Sequence, residues 1–299
     1  MSVECENLSK RFGRHAAVRN LSLRVPPGSA FALIGTNGAG KTTTLRMLVN
    51  ILQPDSGAAR VLGVDSRKLA REDFERIGYV SENQSLPERL TVAQYFNYLR
   101  SLYTKWDESL ERTLRRDLDL PPERKLGKLS HGMRMKTILA AALAFRPAVL
   151  ILDEPLSGLD PLVRDQMVDG MLRQADETTI LISSHEITEI ESFTTHCAFM
   201  HGGELAFQDS IEATLARFRR IDVTLTGASR APAEIPKTWL NVELGDRSLR
   251  FVDSAFESDG AMQQALTARL GPVRCSAEPM SLREISKALM RARQPGSES

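Results

Sequence analysis

No stretch of this 299-residue chain approaches the ~20 consecutive apolar residues that a membrane-spanning helix needs. Cysteine is scarce. Cys5, Cys197 and Cys275 are an odd number, scattered and without paired metal-ligand spacing, so reduced thiols in a cytoplasm are expected rather than a disulfide framework. Charge of either sign is not in excess: 39 Lys and Arg against 38 Asp and Glu leave a net +1, which argues against a nucleic-acid binder working by bulk electrostatics. A local basic patch stays open. The opening residues Met1–Glu6 lack the basic region and apolar stretch of a secretory signal. There is no internal repeat, no long heptad run and no Cys pair, which points to one functional unit without a coiled-coil arm or zinc hook. What remains is ordinary: 42% hydrophobic and 26% charged residues match a soluble globular protein, long enough for one large core and a smaller domain.

Along the chain, Val3–Leu8 and Leu21–Val25 alternate at period two, with a turn at Pro26-Pro27-Gly28. Ala30–Ile34 is a short apolar run, followed by a glycine-rich loop and a helical pattern over Thr44–Val49. From Pro87 to about 145 helices are expected: from Thr91 onward, near Asp107–Leu118, and over Met133–Phe145, the last two separated by Pro121-Pro122. Ala148–Leu152 and Thr179–Ser183 read as buried parallel strands, and Cys197–Met200 with Glu204–Gln208 reads as a hairpin around Gly202-Gly203. The character changes after about residue 218. Ile221–Leu225 and Leu249–Val252 alternate as strands on either side of a segment containing Ala231–Pro236, and Leu282, Ile285 and Leu289 share a helical face. The division expected is 1–218 for the main domain, with a helical insert at about 87–145, and 219–299 for an accessory domain whose end, Pro295–Ser299, is expected to be disordered.

The loop Gly35-Thr36-Asn37-Gly38-Ala39-Gly40-Lys41-Thr42-Thr43 satisfies G-x-x-x-x-G-K-[ST] at every constrained position, after an apolar strand and before a helix. Glycines let successive N–H groups curl around phosphate oxygens while the helix presents its positive end to the same anion. Lys41 then reaches the β and γ phosphates, and the Thr42 hydroxyl is placed to ligate Mg²⁺.

Val149–Leu152 runs into Asp153-Glu154. A parallel strand beside a phosphate loop brings Asp153 near the metal and aims Glu154 beyond the γ-phosphate, where it can polarise water. By itself an Asp-Glu pair is an equally ordinary strand-to-loop transition; the phosphate loop gives it weight. Leu129-Ser130-His131-Gly132-Met133 opens a helix: Ser130 is a natural N-cap, and a Ser, a Gly and a helix start also make a second anion site.

The order of these motifs, with Ser157-Gly158-Leu159-Asp160 and His185 after them, resembles the nucleotide-binding subunit of ATP-binding-cassette (ABC) transporters over roughly residues 1–215. The resemblance implies an α/β P-loop NTPase with a RecA-like core, an antiparallel β-subdomain and a helical insert, plus a small α+β C-terminal domain. It also implies an ATPase using ATP and Mg²⁺. In that reading Gly35–Thr43 cradle the triphosphate, Phe12 stacks on adenine unless it is simply core, and Thr42, Asp153 and Glu82 serve the metal. Glu154, His185 and Lys41 are catalytic. Ser130, His131 and Gly132 form the dimer signature, in which Ser130 and Gly132 bind the γ-phosphate held by a second copy, and Asp160 connects the two sites, so ATP closes a homodimer. The insert, with aromatic candidates Tyr95, Phe96 and Tyr98, takes up a separate integral membrane permease, most of its apolar residues packing its own core.

Two positions depart from the family pattern. His131 stands where Gly is common, and Glu82 where Gln is common; Glu82, the Ser-x-Gly-Met form of the signature and the C-terminal extension resemble the drug- and polysaccharide-exporter branch. The expected protein is therefore a cytoplasmic subunit, peripheral on the membrane through its partner, serving an exporter. The alternative is a soluble ABC ATPase acting on ribosomes or DNA.

Overall fold

The computed structural model describes residues 1–174, 177–225 and 235–292, in two compact units, Met1–Gln208 and Asp209–Ser299. The expected disorder of Pro295–Ser299 and the Ala231–Glu234 part of the proline-bearing segment lie outside the described residues.

The first unit holds two sheets. One joins β1 (Val3–Phe12), β2 (His15–Val25), β4 (Ser56–Val61) and β5 (Val64–Asp65) in the order β2-β1-β4-β5, all pairs antiparallel. β1 and β2 run longer than their alternation indicates. Register shifts after Cys5, Leu8 and Lys10, with Asn7 and Asn20 in left-handed backbone, change which face the side chains take and so interrupt the period-two signal.

The other sheet is ordered β10-β9-β3-β8-β7-β6, with β3 at Ala30–Gly35, β6 at Ile77–Ser81, β7 at Val149–Asp153, β8 at Thr179–Ser184, β9 at His196–His201 and β10 at Glu204–Ser210. The pairs β6–β7, β7–β8, β8–β3 and β3–β9 are parallel. β3, β7 and β8 are buried at every residue, as their unbroken apolar runs require in a sheet covered on both faces. α1 (Lys41–Leu48) contributes Leu45, Met47 and Leu48 to a core shared with Val3, Leu21 and Leu23 of one sheet and Leu33, Ile151 and Leu181 of the other.

The remaining helices of this unit are α2 (Arg71–Phe74), α3 (Val92–Arg100), α4 (Glu108–Asp117), α5 (His131–Leu143) and α6 (Pro161–Leu172). Thr91 and Gln94 form a reciprocal capping box at the start of α3. α3 and α4 are joined at Glu111, 1% exposed, whose carboxylate accepts from Arg100, Trp106 and Arg115. α5 is buried over Met135–Leu143 and lies tight on β6, where a Cβ on Gly78 would come 3.3 Å from the Ala142 carbonyl oxygen. Of the insert's aromatic candidates, Tyr95 and Phe96 are buried and only Tyr98, 54% exposed, faces solvent.

The second unit comprises α7 (Ile211–Arg217), β11 (Arg219–Leu225), β12 (Trp239–Leu244), β13 (Ser248–Asp253), α8 (Asp259–Leu270), β14 (Val273–Pro279) and α9 (Leu282–Ala292). Its sheet is antiparallel, ordered β12-β13-β11-β14, and Met262 and Leu266 of α8 pack with Ile221, Val223 and Phe251 of the sheet.

Candidate nucleotide site

Ligands of open parallel sheets bind beyond the carboxyl ends of the strands. Here four such ends come level: Ile34 of β3 pairs with Ser184 of β8, and Asp153 of β7 pairs with both Ser183 of β8 and Ser81 of β6. The loops that follow carry the phosphate-loop residues, Glu82, Glu154 and His185, so segments far apart in sequence open onto one place.

The loop after β3 takes its shape from glycine. Gly38 and Gly40 have φ of 80° and 100°, and a Cβ on Gly40 would stand 2.4 Å from the Ala17 carbonyl oxygen, too close for any side chain. Gly40 is also the N-cap of α1, with no side-chain cap on the helix's first N–H groups. Those groups are the ones an anion satisfies.

Lys41 is 5% exposed. Its Nζ donates to the carbonyls of Gly35 (2.6 Å) and Thr36 (3.2 Å) and pairs with Glu154 Oε1 at 3.0 Å. The other Glu154 oxygen, Oε2, lies 2.9 Å from His185 Nδ1. Glu154 has φ +51°, a left-handed backbone that costs a non-glycine residue free energy. The Ser183 hydroxyl oxygen accepts the Glu154 N–H at 2.9 Å in this conformation. Lys41, Glu154 and His185 are therefore one connected group.

Asp153 forms a second group with it. Its Oδ1 accepts from the Thr42 hydroxyl (2.9 Å) and the Ser183 hydroxyl (3.0 Å). Burial raises the Asp153 carboxyl above the ordinary range, with those two hydrogen bonds opposing the shift. Glu82 donates its N–H to the Asp153 carbonyl at 3.1 Å. Its side chain lines, with Phe12, His15, Ala17, Asn37–Thr43 and Glu154, a cleft of about 370 Å³. Phe12 is 51% exposed at the end of β1, not core, with Lys10 Nζ 5.9 Å from its ring centroid. A hydroxyl and a desolvated carboxylate meeting at one point, with a second carboxylate on the same cleft, form a donor set that fits Mg²⁺. That ion takes one or two carboxylates and completes its shell with water and phosphate.

Ser130, His131 and Gly132 begin α5 and do not line this cleft. Ser130 caps the helix by accepting the Met133 N–H at 3.3 Å, and a Cβ on Gly132 would meet Val163 of α6 at 3.1 Å. Asp160 caps α6, accepting the Val163 N–H at 3.0 Å, with Pro161 next. Sequence reasoning missed Ser183, which bonds both Asp153 and Glu154. Its signal was a pair of hydroxyl residues, Ser183-Ser184, ending an otherwise apolar strand.

A glycine-shaped anion loop, a buried Asp-Glu strand end and a strand-end histidine on a parallel sheet define a P-loop nucleotide-binding ATPase. Residues 18–157 match the family model described as ABC transporter. The chain is 31% identical over 222 residues to the bacitracin transport ATP-binding protein BcrA of Enterococcus faecalis, covering 73% of this chain and 72% of that one. It is 35% identical to the Nod factor export ATP-binding protein I of Burkholderia lata, covering 68% and 69%. Among solved structures it is similar to an ATP binding subunit of an ABC transporter, with TM-score 0.65, 25% identity and coverage of 71% and 91%. It also shares its fold with a dimeric bacterial ABC transporter cassette, with TM-score 0.63, 20% identity and coverage of 70% and 98%. The chain belongs to the ATP-binding subunits of ABC transporters, and it binds and hydrolyses ATP.

Proposed function

We propose that two copies of this chain close around two MgATP molecules and drive a separate membrane permease that exports its substrate. The observation that carries this reading is that Lys41, Thr42 and Glu154 line one cleft, with Asp153 hydrogen-bonded to Thr42 and His185 to Glu154 behind them. In this reading Gly35–Thr43 wrap the phosphates and Phe12 stacks on adenine. Thr42, Asp153 and Glu82 would hold Mg²⁺, which when bound offsets the charge on the phosphates. Glu154 takes the proton from the attacking water. His185, already hydrogen-bonded to Glu154, orients that carboxylate and contacts the γ-phosphate. Ser130, His131 and Gly132 complete the site of the other copy, and Asp160 joins the two.

No helix among the described residues is long and apolar enough to cross a membrane. Closure of such a dimer does work only when transmitted to a partner, so the protein acts from the cytoplasmic face, attached through its permease and not to nucleic acid. Export is supported by the names of its relatives, bacitracin transport, Nod factor export and probable multidrug transport. On the insert, Tyr98 and Leu102 are the exposed apolar residues, 54% and 42%, suited to docking.

The test is a pull-down from detergent-solubilised membranes. A polytopic protein should be recovered by the parent and lost by Tyr98→Glu or Leu102→Glu, both of which still bind ATP. Recovery of ribosomal proteins or nucleic acid in its place would favour a soluble ABC ATPase.

A further inference from the structure

The loop from Glu154 to Asp160 is held at two points outside the nucleotide cleft. His131, the first residue of α5, sets Nε2 3.2 Å from the Ser157 carbonyl oxygen. A carbonyl only accepts, so Nε2 carries the proton and donates. A glycine at 131 could not make this bond. Two residues further, Arg164 of α6 donates from Nη2 to the Leu159 carbonyl at 3.4 Å, and the same nitrogen pairs with Glu189 Oε1 at 3.2 Å. Glu189 is buried, and its Oε2 accepts the Ser184 hydroxyl at 2.9 Å. Ser184 directly precedes His185.

A continuous line of polar contacts thus runs from the residue before His185, through Glu189 and Arg164, to the loop. From the loop it continues through His131 to the start of α5. The loop between is tight. Ser157 N–H bonds the Glu154 carbonyl, Leu159 N–H bonds the Leu156 carbonyl, both at 3.3 Å, and Gly158 has φ +67°. A shift at Glu154 therefore moves Ser157. The starts of α5 and α6 are also fastened together, by Lys136 Nζ donating to Gln166 Oε1 at 2.8 Å and by the close fit of Gly132 on Val163.

We infer that His131 and Arg164 are positioning residues that couple the two ATP sites through the body of one subunit. This rests on the two-copy arrangement proposed above, in which Glu154 and His185 serve one nucleotide while Ser130–Gly132 of the same chain serve the other. A change at His185 or Glu154 on hydrolysis displaces the loop, and His131 carries that displacement to the α5 start that closes the second site. Contiguous contacts supply the connection; a measured coupling establishes it.

The experiment is steady-state ATPase activity of the full chain against ATP concentration, with gel filtration of Glu154→Gln in ATP and Mg²⁺ alongside. Two coupled sites allow a Hill coefficient of up to about 2, and uncoupled sites give about 1. The parent should lie well above 1. His131→Gly, an exposed substitution that empties no core, should fall toward 1, and His131→Gln, whose amide can donate to Ser157, should recover the parent value. Arg164→Lys, which keeps the charge beside Glu189, should fall likewise, and the double variant should lose no more than either single one. A parent coefficient of about 1, an unchanged coefficient in His131→Gly, or a failure of His131→Gln to rescue overturns the coupling. If Glu154→Gln dimerises while one of these holds, the coupling alone falls. If it stays monomeric, the two-copy reading falls and takes the coupling with it.

Discussion

Replacing Glu154 by Gln should tighten ATP binding as well as stop hydrolysis. Lys41 Nζ stands 3.0 Å from Glu154 Oε1, with side-chain exposures of 5% and 14%. A triphosphate that engages Lys41 must draw it from that carboxylate and also approach a negative charge. Exposed ion pairs contribute about 0–1 kcal/mol, and breaking a fully buried pair costs about 3–5 kcal/mol. A pair at these exposures lies between, at about 1–2 kcal/mol. That converts to about 5- to 30-fold in Kd at about 1.4 kcal/mol per decade. Gln retains the size of the side chain and can pair with His185 Nδ1 through either its carbonyl or its amide. It cannot take the proton from water, so turnover should fall by about 100-fold or more. Calorimetric titration of both proteins with a non-hydrolysable ATP analogue reads the first effect, and phosphate release reads the second. An equal or weaker Kd in the variant would refute the competition for Lys41, and hydrolysis at the parent rate would refute the assignment of Glu154 as base.

Lys41→Ala removes the charge facing the phosphates, which backbone N–H groups cannot replace; ATP affinity or turnover should drop at least about tenfold, or about 1.4 kcal/mol, in the same assays. Gly40→Ala must place a Cβ against the Ala17 carbonyl at φ +100°, so denaturant melts should show a loss of about 1–3 kcal/mol and nucleotide binding should disappear. Asp153 carries a carboxyl raised by burial, so the folded state holds its proton at a pH where the unfolded chain has lost it. Its contribution is thus fully present below the unfolded pKa and is lost as pH rises through the folded one. Asp153→Asn should remove that slope from thermal melts of the nucleotide-free protein, stay at least as stable as the parent at neutral pH, and lose Mg²⁺-dependent turnover.

The phosphate loop was legible because its constraints are local: glycine spacing, a lysine and a hydroxyl within nine residues, between an apolar strand and a helix. The buried strands β3, β7 and β8 were legible as apolar runs, whereas α6 and α8 were not read as helices. α6 buries only Met167, Gly170 and Met171, and α8 only Met262 and Leu266, too few to draw a stripe. β12 and β14 are edge strands whose polar residues blur the alternation. Of the insert's three aromatic candidates only Tyr98 is exposed, because Tyr95 and Phe96 point inward from α3, a fact set by how α3 packs and not by composition. The contacts of Glu154 with Lys41 and His185, and of His131 with Ser157, join residues that only the parallel sheet order brings together.

Phe12 stands half exposed at the lip of the cleft and offers a bare phenyl face. As the base platform proposed above, such a face recognises flatness; it has neither donor nor acceptor to read the edge of a base. Adenine and guanine would stack on it alike, so any choice between the two bases falls to the polar side chains beside it in the cleft, His15 and Asn37 among them.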